Sequence, residues 1–307
     1  MTNTQALFSR GSWRLAAAGV AGVSWIATLL WIGQHIGLRG IGAGLLLSIP
    51  ITLALVLAFR WLNRTNNPQP VGMLVAAFLW GATVTAIAGI GAQAVLQVIA
   101  EASFGVEAGA WIRPLIIAPL TEDTLKGVFL VWLFLVHRQR ITGVLDGIVI
   151  GGLVGVGFTF TENILYFGQM VLDLIAGGFT SEAYLGFAGI FFLRGGLLPF
   201  FHALMGMLIG IGVGLAVRRR SPGAQAGTIL AGFGAAWLLH GIWDWAAIAN
   251  ANPEPYVATV YLSLLVPSFL AVAVTAVILR RRAVKAMVSA GASTRADRAI
   301  ITGAIDR

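Results

Sequence analysis

The stretch Thr121-Glu122-Asp123-Thr124-Leu125-Lys126 puts two adjacent carboxylates and a lysine directly before a wholly apolar run, Gly127 to Val136. In hydrocarbon each such group costs roughly 3 kcal/mol on insertion scales, so a chain keeps them only where they face a protein interior or a water-filled cavity. Glu122 and Lys126 are i,i+4 neighbours and Asp123 is i,i+3 to Lys126, so the lysine lies angularly between the two acids. It can neutralise one and leave the other poised. Two carboxylates side by side in a low dielectric do not ionise easily together, which suits the pair to general acid–base work.

Five more ionisable groups lie well inside apolar segments: Glu162, Arg194, His202, His240 and Asp244. Two of the chain's four histidines are among them. His240 and Asp244 stand at i,i+4, where the carboxylate can fix the imidazole tautomer or act as a ligand itself. Imidazoles and carboxylates in this number can bind a divalent metal, stabilise an oxyanion, relay protons or serve packing alone. Nitrogen and carboxylate ligands with one open position would suit catalytic zinc. No H-E-x-x-H occurs, so spacing alone does not establish a metal. Each residue also has a plainer reading. Glu122 and Lys126 can be a structural ion pair, and His202 a hydrogen-bonded interior histidine. Asn163 can bond between helices, and Arg194 can snorkel or pair with a carboxylate. Asp146 reads as a boundary residue, and Tyr166, Trp237, Trp243 and Trp245 as packing or interface residues.

The elements that must position these groups are membrane helices. The chain has 307 residues, 58% of them hydrophobic and 10% charged, against about 25% charged in a soluble domain. The expected fold is all-α, a polytopic helix bundle of about eight spans near 15–33, 40–60, 71–99, 112–136, 144–169, 187–217, 226–249 and 256–279. Arg10 and Arg14 before a long apolar run read as the flank of a retained first span. Residues 1–282 form one membrane domain with its chemistry in about 112–250, and 283–307 a polar, basic, solvated tail. The net charge of +8 does not indicate nucleic-acid binding, because the basic residues sit at span ends. Arg60, Arg64, Arg138, Arg140, Arg218 to Arg220 and Arg280 to Arg282 share one side if there are eight spans, which puts both termini in the cytoplasm of a cell-membrane protein. There is no cysteine, so disulfides, thiolate metal sites and a cysteine nucleophile are excluded.

Counting 1.5 Å per residue from the cytoplasmic end of each span puts Glu122, His202 and His240 about 21–22 Å up, and Glu162 and Asp244 about 27 Å up. Four helices thus place their rare polar groups in one layer, slightly toward the outer leaflet. Gly143, Gly147, Gly151 and Gly155, and then Gly206, Gly210 and Gly214, recur at four-residue spacing. Such ladders let helix backbones approach closely and can hold the polar groups above them in register. Pro119 and Pro199 each remove a backbone hydrogen bond near the polar layer and can open space for water.

Glu122-Asp123-x-x-Lys126, Phe158-x-x-x-Glu162-Asn163, His202 and His240-Gly-Ile-Trp-Asp244, as an ordered set over about 112 to 250, resemble the PrsW family of intramembrane proteases. That family is similar in turn to the CAAX-protease and bacteriocin-processing superfamily. The family's first motif has two glutamates, and Asp123 here is one methylene shorter. The resemblance implies hydrolysis of a peptide bond in a membrane-anchored protein, within or next to the membrane. The implied substrate class includes regulatory factors such as an anti-sigma factor, and the implied cofactor is a divalent metal, zinc.

On this reading Glu122 is the general base, Lys126 tunes Glu122 and Asp123, and His202 and His240 with Glu162 and Asp244 are metal ligands or oxyanion stabilisers. Asn163 and Arg194 hold the substrate backbone or the oxyanion. Partners are then a protein substrate and the bilayer; the oligomeric state is not legible. Two rivals use the same residues: an ion- or proton-coupled transporter, against which no internal repeat is visible, and a non-catalytic membrane scaffold.

Overall fold

The computed structural model describes residues 12–65, 68–249 and 256–305. Every element among them is helical. The first, α1 (Ser12–Leu62), contains Gly37 at φ 60°, ψ 178°, a conformation open to glycine and costly for other residues. Trp25 before this break stacks on Phe160 with ring centroids 6.0 Å apart. Gly44 after it presses against the backbone carbonyl of Ile164. In one straight helix residues 25 and 44 would lie about 28 Å apart, whereas 160 and 164 are one turn apart. The chain therefore doubles back at Gly37, and both legs of α1 lie against the same later helix.

The chain continues through α2 (Val71–Leu79), a π-helical turn (Trp80–Thr85) and α3 (Ala86–Phe104). Next come α4 (Val106–Ile112), a π turn (Arg113–Ile117) and α5 (Ala118–Val136). The helix α6 (Val144–Ala176) is uninterrupted. After α7 (Ser181–Phe191) and a π turn (Phe192–Leu197), the helix stops and restarts as α8 (Phe201–Ala216). The chain ends with α9 (Pro222–Ala249), α10 (Tyr256–Val260), a π turn (Tyr261–Leu265) and α11 (Val266–Ile305). The last helix thus carries the segment beyond Arg282. Among the described residues, six stretches are long and apolar enough to cross a membrane: Gly19–Leu62, Val71–Phe104, Val144–Ala176, Ser181–Ala216, Pro222–Ile248 and Tyr256–Ala286. Glu122, Asp123 and Lys126 set α5 apart from these.

The core is built around α6, and glycine is the reason it can be. A Cβ on Gly147, Gly151 or Gly155 would collide with the backbone carbonyl of Gly210, Gly206 or His202 on α8, and one on Gly206 or Gly210 would collide in return. The two backbones therefore touch directly at three successive rungs, about two helical turns. On its other faces Gly157 meets the carbonyl of Phe78, Gly152 the ring of Phe59, and Gly168 the carbonyl of Gly40. Close backbone contact of this kind replaces the hydrophobic effect as the adhesive between helices in lipid. The uppermost rung, Gly155, sits against the carbonyl of His202, so the ladder fixes the height of that histidine relative to α6.

The arginine-rich helix ends gather at one end of the bundle. Arg138 donates to the carbonyl of Val217 at 3.1 Å, Arg218 lies against Gly143, and Arg280 donates to the carbonyl of Trp61 at 2.9 Å. Asp146 accepts from the N–H and hydroxyl of Thr142 at 2.7 and 2.6 Å, a boundary role at the start of α6.

Candidate active site

Helix α5 delivers Glu122, Asp123 and Lys126 on the face turned to α6, α8 and α9. All three are buried, and Asp123 and Lys126 have no exposed surface. The Lys126 ammonium donates to Asp123 Oδ1 at 2.8 Å and to Glu122 Oε2 at 3.4 Å, and it lies 4.2 Å from the centre of the Phe158 ring. Asp123 uses its second oxygen elsewhere: His240 Nδ1 stands 3.0 Å from Oδ2. The shorter aspartate thus has both oxygens committed, one to its own helix and one to α9. Glu122 reaches the cavity, and Gln93 of α3 donates to its Oε1 at 3.0 Å.

His202 lies in the first turn of α8, just past the break at Leu198, Pro199 and Phe200. The first regular helical bond, Leu204 N–H to Phe200 O at 2.7 Å, forms only beyond Pro199. His202 Nδ1 lies 3.2 Å from Lys126 Nζ and 3.9 Å from Glu122 Oε2. Its Nε2 lies 2.7 Å from Glu162 Oε2. An ammonium can only donate, so Nδ1 is the acceptor and Nε2 carries the proton that Glu162 receives. Edge contacts with Phe158 and Phe201, at centroid distances of 4.8 and 4.9 Å, hold the ring.

Arg194 comes from the π turn before the break, a local geometry often found at functional sites. It donates from Nη2 to Glu162 Oε2 at 2.5 Å and from Nε to Asn163 Oδ1 at 3.0 Å, and it stacks 3.8 Å over Tyr166. Because Arg194 fixes the Asn163 oxygen, the amide nitrogen points away from it, buried and without a hydrogen-bond partner among the described residues. Asp244, one turn beyond His240, lies 3.5 Å from His240 Nε2.

All nine candidate residues from four segments of sequence therefore join one network. It surrounds a cavity of about 470 Å³ lined by Glu122, Glu162, Asn163, Arg194, His202, His240 and Asp244 among others. Gln93, Arg113, Tyr166 and Trp243 also line it. None of these four stands out in the sequence as a site residue. Gln93 is neutral, Arg113 looks like a boundary charge, and Tyr166 and Trp243 look like packing; the i,i+4 spacing of Tyr166 from Glu162 is the one signal that could have pointed to it.

Ligand atoms of Glu122, His202 and His240 all lie within 4.8 Å of one another, and all three residues are buried. One carboxylate oxygen and two imidazole nitrogens are a donor set zinc accepts. The network holds four carboxylates (Glu122, Asp123, Glu162, Asp244) and two permanent cations (Lys126, Arg194). With neutral imidazoles it has room for two further positive charges. Donor chemistry and charge both fit a divalent metal.

A family model described as the PrsW family intramembrane metalloprotease matches residues 69–272. The protein described as Protease PrsW from Geobacillus kaustophilus is 26% identical over 213 residues, covering 68% of this chain and 82% of its own length. No solved structure matches. The matched region runs from the start of α2 into α11 and contains every residue of the network, as well as the glycine ladder that holds α6 against α8. This chain, an all-helical protein with several membrane-crossing helices, belongs to the PrsW family of intramembrane metalloproteases.

Proposed function

We propose that this protein is an intramembrane endopeptidase that cuts a membrane-anchored protein, with Glu122 as general base. The observation that carries the proposal is the convergence of Glu122, His202 and His240 on one buried cavity wall. Of the two acids on α5, only Glu122 reaches the cavity. Its Oε1 is held by Gln93, which orients the carboxylate to accept the proton of a cavity water. Asp123 has no access to the cavity and positions His240 and Lys126. A divalent metal, zinc on the donor set present, would be held by Glu122, His202 and His240 and would supply Lewis acidity. A carboxylate has two oxygens, so ligation and proton acceptance are compatible roles for Glu122.

Glu162 holds the Nε2 proton of His202 and is held in turn by Arg194, which fixes the imidazole in one tautomer. The Asn163 amide nitrogen is a donor free to meet a substrate carbonyl or the developing oxyanion. Asp244 beside His240 is a further ligand candidate. Eight spans account for the layout: the two legs of α1, α2–α3, α4–α5, α6, α7–α8, α9 and α10–α11. Gathering of the arginines at one end supports cytoplasmic termini in a cell membrane. The site then lies toward the outer leaflet, and the cut falls nearer the non-cytoplasmic end of the substrate helix. A membrane-anchored regulatory factor, such as an anti-sigma factor, is the substrate type in view.

The test is proteolysis of single-span substrates in proteoliposomes by wild type and Glu122→Gln. Loss of cleavage in a folded Glu122→Gln supports the proposal. Cleavage at the wild-type rate refutes it, and a Glu122-dependent ion or proton flux without cleavage would mark a transporter.

A further inference from the structure

His202 has no lone pair to spare. Its Nε2 carries the proton that goes to Glu162, and its Nδ1 accepts from Lys126 at 3.2 Å. A metal binds a neutral imidazole only through the unprotonated nitrogen. The position a metal would take beside His202 Nδ1 is therefore one that a protein cation already serves. The same ammonium also reaches Glu122 Oε2 at 3.4 Å, so it touches two of the three candidate ligands. Reversing the ring would not free the nitrogen cheaply, because it would turn ring carbons toward Glu162 and Lys126 and lose both contacts.

Lys126 has somewhere to go. Its shortest contact, 2.8 Å, is to Asp123 Oδ1, which lies away from the cavity and outside the donor set. The lysine can release His202 and Glu122 and keep that ion pair, so its charge is never left unpaired in the interior.

We propose that Lys126 is a built-in competitor for the metal centre: its ammonium occupies the donor site of His202 and Glu122, and the centre loads only as Lys126 withdraws onto Asp123. The inference rests on Glu122, His202 and His240 being the metal donors. Apparent affinity for a metal is then reduced by the fraction of molecules in which Lys126 has withdrawn. The lysine acts as a threshold, holding the acids together when metal is scarce and giving way when it is plentiful.

Zinc binding to the metal-stripped full-length protein in detergent tests this, measured by titration calorimetry against a chelator of known affinity. Lys126→Met is expected to bind zinc about tenfold tighter or more, and Lys126→Arg, which keeps a cation, no tighter than wild type. A folded Lys126→Met that binds zinc no tighter than wild type overturns the proposal. His202→Ala separates this from the reading beneath it. If His202→Ala binds zinc as wild type does, the metal centre itself is wrong; if it loses zinc while Lys126→Met gains nothing, only the competition is wrong. Should Lys126→Met fail to fold, a zinc-soaked crystal of wild type decides. Nζ beyond hydrogen-bond reach of Nδ1 supports the proposal; zinc on His202 with Nζ still in contact, or zinc seated without His202, overturns it.

Discussion

His240 Nδ1 lies 3.0 Å from Asp123 Oδ2, joining residues 117 positions apart in sequence. The other Asp123 oxygen holds Lys126. One fully buried carboxylate thus sets the position of both the lysine and the second histidine, and it does so without touching the cavity.

Asp123→Asn keeps the shape but removes the charge and one acceptor. Outer-sphere carboxylates that orient a ligating histidine are typically worth about 10- to 100-fold in affinity or activity. We expect a loss of that size in kcat/KM on a single-span substrate, with zinc affinity reduced in parallel. Unchanged kinetics and zinc affinity in the folded variant would remove Asp123 from the site.

Arg194 grips Glu162 and Asn163 with different nitrogens. Lysine presents its donors from a single nitrogen and does not reproduce the planar fork that reaches these two acceptors from separate nitrogens. A lost hydrogen bond to a charged group costs about 1.5–3 kcal/mol, so Arg194→Lys should lower kcat/KM by about 10- to 100-fold. Steady-state kinetics beside a thermal melt would show whether the effect is confined to the site.

The site's ionisable groups were legible because each is costly in an apolar segment: Glu122, Lys126, Glu162, Arg194, His202, His240 and Asp244 betray themselves by where they stand. Their shared depth followed from counting residues along straight helices, and the contacts between them close at that level. Gln93 was silent because a neutral amide costs less and carries no charge to notice. The bond from Asp123 to His240 depends on how α5 faces α9, which no spacing within either helix encodes. Pro199 signalled the break before His202, and Pro114 lies within the irregular turn at Arg113–Ile117 with Pro119 just after it, but the π turn around Arg194 contains no proline. The reversal at Gly37 was legible as a gap between two apolar runs, and the positive φ there explains its residue. Segment 283–307 reads as polar tail from composition, yet α11 continues through it to Ile305; backbone helicity does not need an apolar face.

The α6–α8 ladder should tolerate no side chain. Gly151 and Gly206 oppose each other's carbonyl oxygens, so Gly151→Leu forces the helices apart rather than repacking them. Overpacking typically costs about 1–3 kcal/mol and more where backbone must move. We expect a lowered melting temperature in detergent and loss of activity together. Gly223, whose Cβ would meet nothing within 4 Å, supplies the control: Gly223→Ala should melt as wild type.

Topology can be read directly, because the chain has no cysteine to remove. Single cysteines at Arg64, Arg140 and Arg220 should react with an impermeant maleimide only in inside-out vesicles, and one at Glu182 only in right-side-out vesicles. Labelling of the arginine positions from opposite sides would contradict the eight-span layout.

The central claim is that four helices assemble one proteolytic centre around Glu122, His202 and His240. Its most direct measurement is mass spectrometry of the fragments made from a single-span substrate in zinc-supplied proteoliposomes. Wild type is expected to yield one cut in the outer half of the span, and Glu122→Gln, His202→Ala and His240→Ala none. A cut that survives all three substitutions, or one at the cytoplasmic end of the span, would contradict the account.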